Sequence, residues 1–140
     1  MCVCLFCNVT TIEYVQQGQA LDSPFLAGAL SMIAGAVTAV YAMFSLGRNF
    51  TPLVTPRKRS QLVTDGMFQY MRHPVYAGCI LLAFGLAAVS YSESRMLLSA
   101  LLYFILDFKA SREEAAMVDK HGEEYEVYQA SVGRFFPKLQ

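Results

Sequence analysis

SPFLAGALSMIAGAVTAVYAMFSLG, residues Ser23 to Gly47, contains no charged side chain. A helix rises about 1.5 Å per residue, so roughly 20 such residues cross the hydrocarbon core of a bilayer. The stretch predicts a transmembrane helix over about 23–47. Gly28, Ala29, Gly35, Ala36 and Ala39 set small residues along it, which lets another helix approach closely.

The rest of the composition agrees. Of 140 residues, 55% are hydrophobic and 16% charged, where a soluble domain carries about a quarter charged. Mean hydropathy is +0.37. The deficit points to lipid-exposed surface, and with the helical apolar stretches an all-α membrane bundle is expected. Basic and acidic residues number 11 each, so no net field favours a nucleic-acid partner. The length suits a single domain, taken as 23–140, behind an N-terminal segment 1–22.

C-terminal to the first apolar stretch, residues 48–74 form a polar loop in which Pro52 and Pro56 break any continuous helix. Arg48, Arg57, Lys58, Arg59 and Arg72 face one acid, Asp65, which marks the loop as cytoplasmic. Val75 to Ser92 is a second apolar run, begun by Pro74 where a missing N–H costs little. Met96 to Leu106 is the third. Between them Glu93, Ser94 and Arg95 make a short polar link, so a tight hairpin of helices over about 75–92 and 95–108 is expected. Both arms are short for spanning and would tilt little or penetrate incompletely.

From Lys109 to Ser131 the chain is charged, and Met117, His121, Tyr125, Tyr128 and Val132 recur on one helical face. This predicts an amphipathic helix over about 109–131, on the cytoplasmic surface or against the bundle. Phe135-Phe136-Pro137 then reads as an apolar anchor. The resulting topology has the N-terminus outside and the basic loop inside. The hairpin dips outward and the tail returns inside, so the loop, His73 and Glu113-Glu114 gather on one side.

Cys2, Cys4, Cys7 and Cys79 do not suggest a disulfide framework, since three crowd the N-terminus and one sits in an apolar run. With His73 and His121 the only histidines, no tetrahedral metal set is expected. Lipidation of the N-terminal cysteines is the lesser alternative to the ragged end of an apolar segment. No GxGxxG, P-loop, G-x-S-x-G or H-E-x-x-H motif occurs, which excludes a Rossmann-type enzyme.

Glu113 and Glu114 directly follow a membrane segment. They form either a surface pair with Arg112 and Lys120 or a functional carboxylate site. A sulfonium cosubstrate, S-adenosylmethionine, offers a sharper use: a glutamate for its cationic or hydroxyl groups, and the rings of Tyr76 and Phe68 for its charge. His73, held by Pro74, is either a hydrogen-bonding member of that site or a structural histidine.

An ordered set of segments carries a resemblance. Leu46-Gly47-Arg48-Asn49-Phe50, Leu62-Val63-Thr64-Asp65-Gly66-Met67-Phe68, Arg72-His73-Pro74-Val75-Tyr76-Ala77-Gly78, Glu113-Glu114, Gly122-Glu123-Glu124-Tyr125-Glu126-Val127-Tyr128 and Arg134-Phe135-Phe136-Pro137 occur in sequence. Together they resemble the isoprenylcysteine carboxyl methyltransferase family over residues 40–137. The resemblance implies an all-helical, multi-pass membrane enzyme of the endoplasmic reticulum, and, since family members usually carry further helices ahead of Ser23, a minimal or truncated member. It would transfer a methyl group from S-adenosyl-L-methionine to the C-terminal carboxylate of a prenylated cysteine. Carried over by position, the cofactor contacts are Ser60, Gln61, Leu62, Val63, Phe68, His73, Pro74, Val75, Tyr76 and Glu113. Lys109 stands where the eukaryotic enzymes place an arginine against the substrate, and Arg72 is a second cation for the carboxylate.

Three positions depart from the family pattern. Phe68 stands where tyrosine is usual, Ser60 where histidine is common, and Lys109 keeps the charge without the bidentate fork. Three rival readings stand beside the main one. They are a phospholipid or other lipid methyltransferase, an NADPH-binding protein akin to the membrane sterol reductases, and an inactive membrane protein of the same fold.

Overall fold

The computed structural model describes residues 23–46 and 62–138. It is built of helices: α1 (Ser23–Leu46), a 3-10 turn (Gly66–Gln69), α2 (Pro74–Val89), α3 (Glu93–His121) and α4 (Glu123–Ser131). Among the described residues there is no strand, only one isolated parallel bridge between Met71 and Gly133.

α1 is the one helix among the described residues long and apolar enough to cross a membrane, over Ser23–Ser45, by length and composition. Of the expected small residues, Gly28, Gly35 and Ala39 meet α2, while Ala36 is exposed. A Cβ on Gly35 would lie 2.7 Å from the Gly78 carbonyl oxygen, and one on Gly78 would lie 2.6 Å from that of Gly35. One turn-pair away, Gly28 and Gly85 repeat the arrangement, at 2.9 and 2.7 Å. The two helices are therefore in backbone contact, possible only where no side chain intervenes. Ser31 Oγ adds one hydrogen bond across the seam, to the Leu81 carbonyl at 2.9 Å.

The opposite face of α1 exposes Leu26, Leu30, Ile33, Val37, Val40 and Phe44 at alternating spacings of four and three. α3 does the same with Leu97, Leu98, Leu101, Phe104, Ile105 and Phe108. Water does not tolerate apolar stripes of this extent, whereas hydrocarbon does.

α2 begins at Pro74, as its fixed φ favours, and ends in a turn over Ser90–Ser92 rather than over Glu93–Arg95. Glu93, Ser94 and Arg95 already belong to α3, whose N-cap Ser92 accepts the Arg95 amide at 3.4 Å. Glu93 in the first turn complements the helix dipole.

The expected junction near residue 108 is absent: α3 runs unbroken from the apolar hairpin arm into the charged segment. Neither glycine nor proline lies between Glu93 and His121 to stop it. The break falls instead at Gly122, with φ +57 and ψ −133, a backbone conformation that L side chains rarely adopt. The Met117–Val132 face is thus divided between two helices, with Tyr125 and Val132 buried. Ala77 and Ile80 of α2, Ala110 of α3 and Phe135 of the tail form the core beneath. Phe135 is buried there while Phe136 is exposed.

Candidate active site

The site is assembled where the start of α2, the middle of α3 and the tail after α4 meet. The tail is tied to the segment before α2 by backbone hydrogen bonds: Arg72 N–H to Gly133 O at 2.8 Å and His73 N–H to Arg134 O at 3.0 Å. Tyr128 of α4 donates its hydroxyl to the Phe68 carbonyl at 2.5 Å. Arg72 reaches the end of α4, donating from Nη1 to the carbonyls of Gln129 (2.9 Å) and Val132. Lys138 Nζ donates to the Ala130 carbonyl at 2.5 Å. Two cations thus satisfy carbonyls that a helix C-terminus leaves without partners.

Glu114 is the hub. Only 3% exposed, it accepts Arg72 Nε at 2.8 Å, Arg134 Nη2 at 2.7 Å, Arg134 Nε at 3.3 Å and Gln129 Nε2 at 3.3 Å, and it meets His73 Nε2 at 3.2 Å. Burial pushes its carboxyl upward, but the hydrogen bonds from His73, Arg134 and Arg72 outweigh this and hold it well below the usual carboxylate range. Arg134 extends the cluster to Asp107 Oδ1 at 2.6 Å and Ser111 Oγ at 3.0 Å. Asp107, Ser111 and Glu114 lie one turn apart on α3, a stripe that the single guanidinium grips. Its hydrogen bond to Glu114 raises the Arg134 pKa. Burial pushes the Tyr128 phenol up to about 12, so it stays a donor to Phe68.

Beside the hub lies a second, more open group. Glu113 Oε1 accepts the Tyr76 hydroxyl at 2.7 Å and stands 3.9 Å from Lys109 Nζ. Glu113 Oε2 is 3.7 Å from His73 Nδ1. Tyr76 stacks on His73 with centroids 5.4 Å apart, and Lys109 Nζ sits 5.3 Å over the Tyr76 ring. Chemically this is a carboxylate and an imidazole for N–H or O–H donors, an aromatic face for a cation, and an ammonium at the rim for an anion.

Of the residues expected from the sequence, the structure brings together His73, Tyr76, Lys109 and Glu113, with Pro74 and Val75 between the first two. Phe68 is buried in the 3-10 turn, which packs against the end of α1. Leu62 and Val63 are half-buried in the segment leading to that turn. Ser60 and Gln61, the basic cluster Arg57-Lys58-Arg59 and the N-terminal cysteines lie outside the described residues. Arg72 is committed to Glu114 and to α4, not to the group around Glu113. Sequence reasoning missed Asp107, Gln129 and Arg134 and gave Glu114 no role distinct from its neighbour. The available signals were an aspartate closing an apolar run and an arginine ahead of a buried phenylalanine.

Residues 24–124 match the family described as phospholipid methyltransferase. The chain is 30% identical over 129 residues to the protein-S-isoprenylcysteine O-methyltransferase of Dictyostelium discoideum, covering 80% of this chain and 48% of that protein. It is 32% identical over 101 residues to the enzyme of that name from Schizosaccharomyces pombe, covering 70% of this chain and 43% of that one. The fold is similar to that of the eukaryotic intramembrane Ras methyltransferase, isoprenylcysteine carboxyl methyltransferase. The TM-score is 0.80 at 23% identity, over 96% of this chain and 50% of that chain. The chain spans about half the length of the curated relatives it matches.

Proposed function

The chain belongs to the phospholipid methyltransferase family, and from that premise we propose that it transfers a methyl group from S-adenosyl-L-methionine, at a membrane, to the C-terminal carboxylate of a prenylated cysteine. The observation that carries the reading is the convergence of His73, Tyr76, Lys109 and Glu113, contributed by two helices, into one group of matched polarity. The names of its relatives support the acceptor. The apolar stripes of α1 and α3 support a lipid setting; a multi-pass topology in the endoplasmic reticulum rests on the family resemblance, and a cytoplasmic loop and tail on the loop's positive charge.

The residues present fit such a cosubstrate. Glu113 and His73 Nδ1 can accept hydrogen bonds and the Tyr76 ring attracts positive charge, and the resemblance adds Leu62, Val63, Phe68, Pro74 and Val75 as cofactor contacts. The resemblance also assigns Ser60 and Gln61 to that set. When bound, S-adenosylmethionine supplies a methyl group carried on a positively charged sulfur.

The chain's own task is then alignment. A carboxylate acceptor is ionised near neutral pH and needs no base. Orientation can contribute several kcal/mol. Lys109, at the rim over Tyr76, places the acceptor carboxylate. Arg72 leaves that role and holds Glu114 instead, as its partners indicate.

The test is binding of S-adenosylmethionine and of NADPH to the full chain in detergent, for wild type and Glu113→Ala. Saturable S-adenosylmethionine binding that the variant loses is expected, with no response to NADPH. Binding indifferent to Glu113 would sink the reading. Turnover of a farnesylated cysteine analogue against a phospholipid amine then decides the acceptor, with the former expected to be methylated.

A further inference from the structure

His73 is held on every side. Tyr76 stacks on its face with 5° between the ring planes, and Phe135 meets it edge-on at 6.2 Å. Nε2 lies 3.2 Å from Glu114 Oε1, and Nδ1 lies 3.7 Å from Glu113 Oε2. The two nitrogens of a neutral imidazole are not equivalent, since one carries the proton and the other accepts. The partner of one nitrogen fixes the state of the other.

Glu114 can only accept. Arg72 and Arg134 keep it ionised, and an ionised carboxylate has no proton to offer. The contact at 3.2 Å therefore requires the proton on Nε2. At 3.7 Å the Nδ1–Glu113 pair is beyond hydrogen-bond reach, which leaves two acceptors side by side with a gap between them.

We propose that Glu114 is a positioning residue: by accepting the Nε2 proton it sets His73 as the Nε2–H tautomer and makes Nδ1 and Glu113 Oε2 a paired acceptor for an N–H or O–H group of the methyl donor. The second half rests on the reading of this site as a methyl-donor site; the tautomer does not. A group with two hydrogens, such as an ammonium, satisfies both acceptors from one position. A second proton on the ring, at Nδ1, turns that acceptor into a donor to Glu113 and closes the pair. The charged and titratable groups around the ring are Glu113 and Glu114 of α3 and Tyr76 of α2. Behind them stand Arg72 and Arg134 on Glu114, and Lys109 on Glu113.

The experiment uses the full chain in detergent, labelled with nitrogen-15 at histidine. There are two histidines, so His121→Gln assigns the signals. Neutral His73 is expected to show a protonated Nε2 and an unprotonated Nδ1. Glu114→Gln, whose amide can donate as well as accept, should collapse this to a mixture and weaken S-adenosylmethionine binding about tenfold. Glu113→Gln should weaken binding and leave the tautomer in place. A wild-type ring protonated on Nδ1 overturns the proposal, and that measurement needs no variant to fold. A Glu114→Gln protein with a mixed tautomer and wild-type affinity overturns it as well. A wild type with the Nε2–H tautomer and no S-adenosylmethionine binding defeats the methyl-donor reading and leaves the hold of Glu114 on the ring standing.

Discussion

The seam between α1 and α2 and the junction between α3 and the tail solve one problem by opposite means. At the seam, contact is made by removing side chains: Gly28 faces Gly85, Gly35 faces Gly78, and backbones touch. At the junction it is made by adding charge: Glu114 collects two arginines, a glutamine and a histidine. The first depends on shape, and lipid cannot compete for it. The second carries a desolvation cost that only complete pairing offsets. Shape should fail gradually as volume is added, whereas a charge cluster should fail abruptly when one member is removed.

The largest effect is therefore expected at the hub. Glu114→Ala leaves Arg72 and Arg134 facing each other without their shared anion, with the Arg72 side chain only 7% exposed. The expected loss is about 3–5 kcal/mol, the usual result of breaking a buried pair from one side. Thermal unfolding in detergent measures it. A loss below about 1 kcal/mol would mean that water reaches the cluster and that the contrast with the seam is false.

Gly78→Leu breaks the other side of the comparison. A Cβ there lies 2.6 Å from the Gly35 carbonyl oxygen and 2.8 Å from the Ala39 Cβ, so α1 and α2 must separate. The expected cost is about 1–3 kcal/mol, typical of overpacking. The glycine seam and the ion cluster share no residue, so the double variant with Glu114→Ala should lose the sum of the two. A marked departure from additivity would show the regions to be mechanically coupled.

The seam was legible in the sequence and the hub was not, for a physical reason. An uncharged stretch with glycines seven apart announces both a helix and its packing face, because that information is local. Pro74 announces a helix start in the same way. The family motifs place His73, Tyr76 and Glu113 in order along the chain. Glu114, however, looks like its neighbour on any local criterion; one helical step turns it inward to four partners, while Glu113 faces the rim. Its pairing with Arg72 spans 42 residues and that with Arg134 spans 20, and no periodicity encodes such distances. The continuity of α3 past residue 108 was obscured by the change from apolar to charged composition. That change alters the helix's surroundings and not its backbone.

Tyr76→Phe sharpens the comparison at its boundary, between the buried hub and the open group. It removes the donor 2.7 Å from Glu113 Oε1 but keeps the ring that stacks on His73 and lies under Lys109. About 1 kcal/mol is expected, read as a roughly fivefold loss of S-adenosylmethionine affinity with little change in unfolding temperature. An equal loss in Lys109→Ala, measured on the acceptor's KM alone, would separate the two ends of the site.

The smallest effect is expected from pH, and its smallness is informative. The folded-state pKa of Glu114 is depressed below its unfolded value, so the stability it contributes is fully present above the ordinary carboxylate range. It is lost progressively as pH falls below that range towards the depressed folded value. Measured in a His73→Gln background, which removes the ionisable neighbour 3.2 Å from Glu114, the difference in unfolding free energy between Glu114 and Glu114→Gln should therefore be flat from about pH 8 to pH 5 and shrink only at lower pH. The seam carries no titrating group, so Gly78→Leu should cost the same across the whole range. A Glu114 contribution that already fades between pH 7 and pH 5 would mean that the arginines do not hold the carboxylate ionised. The hub would then be a hydrogen-bonded carboxylic acid, and His73 would lose the fixed acceptor that sets its tautomer.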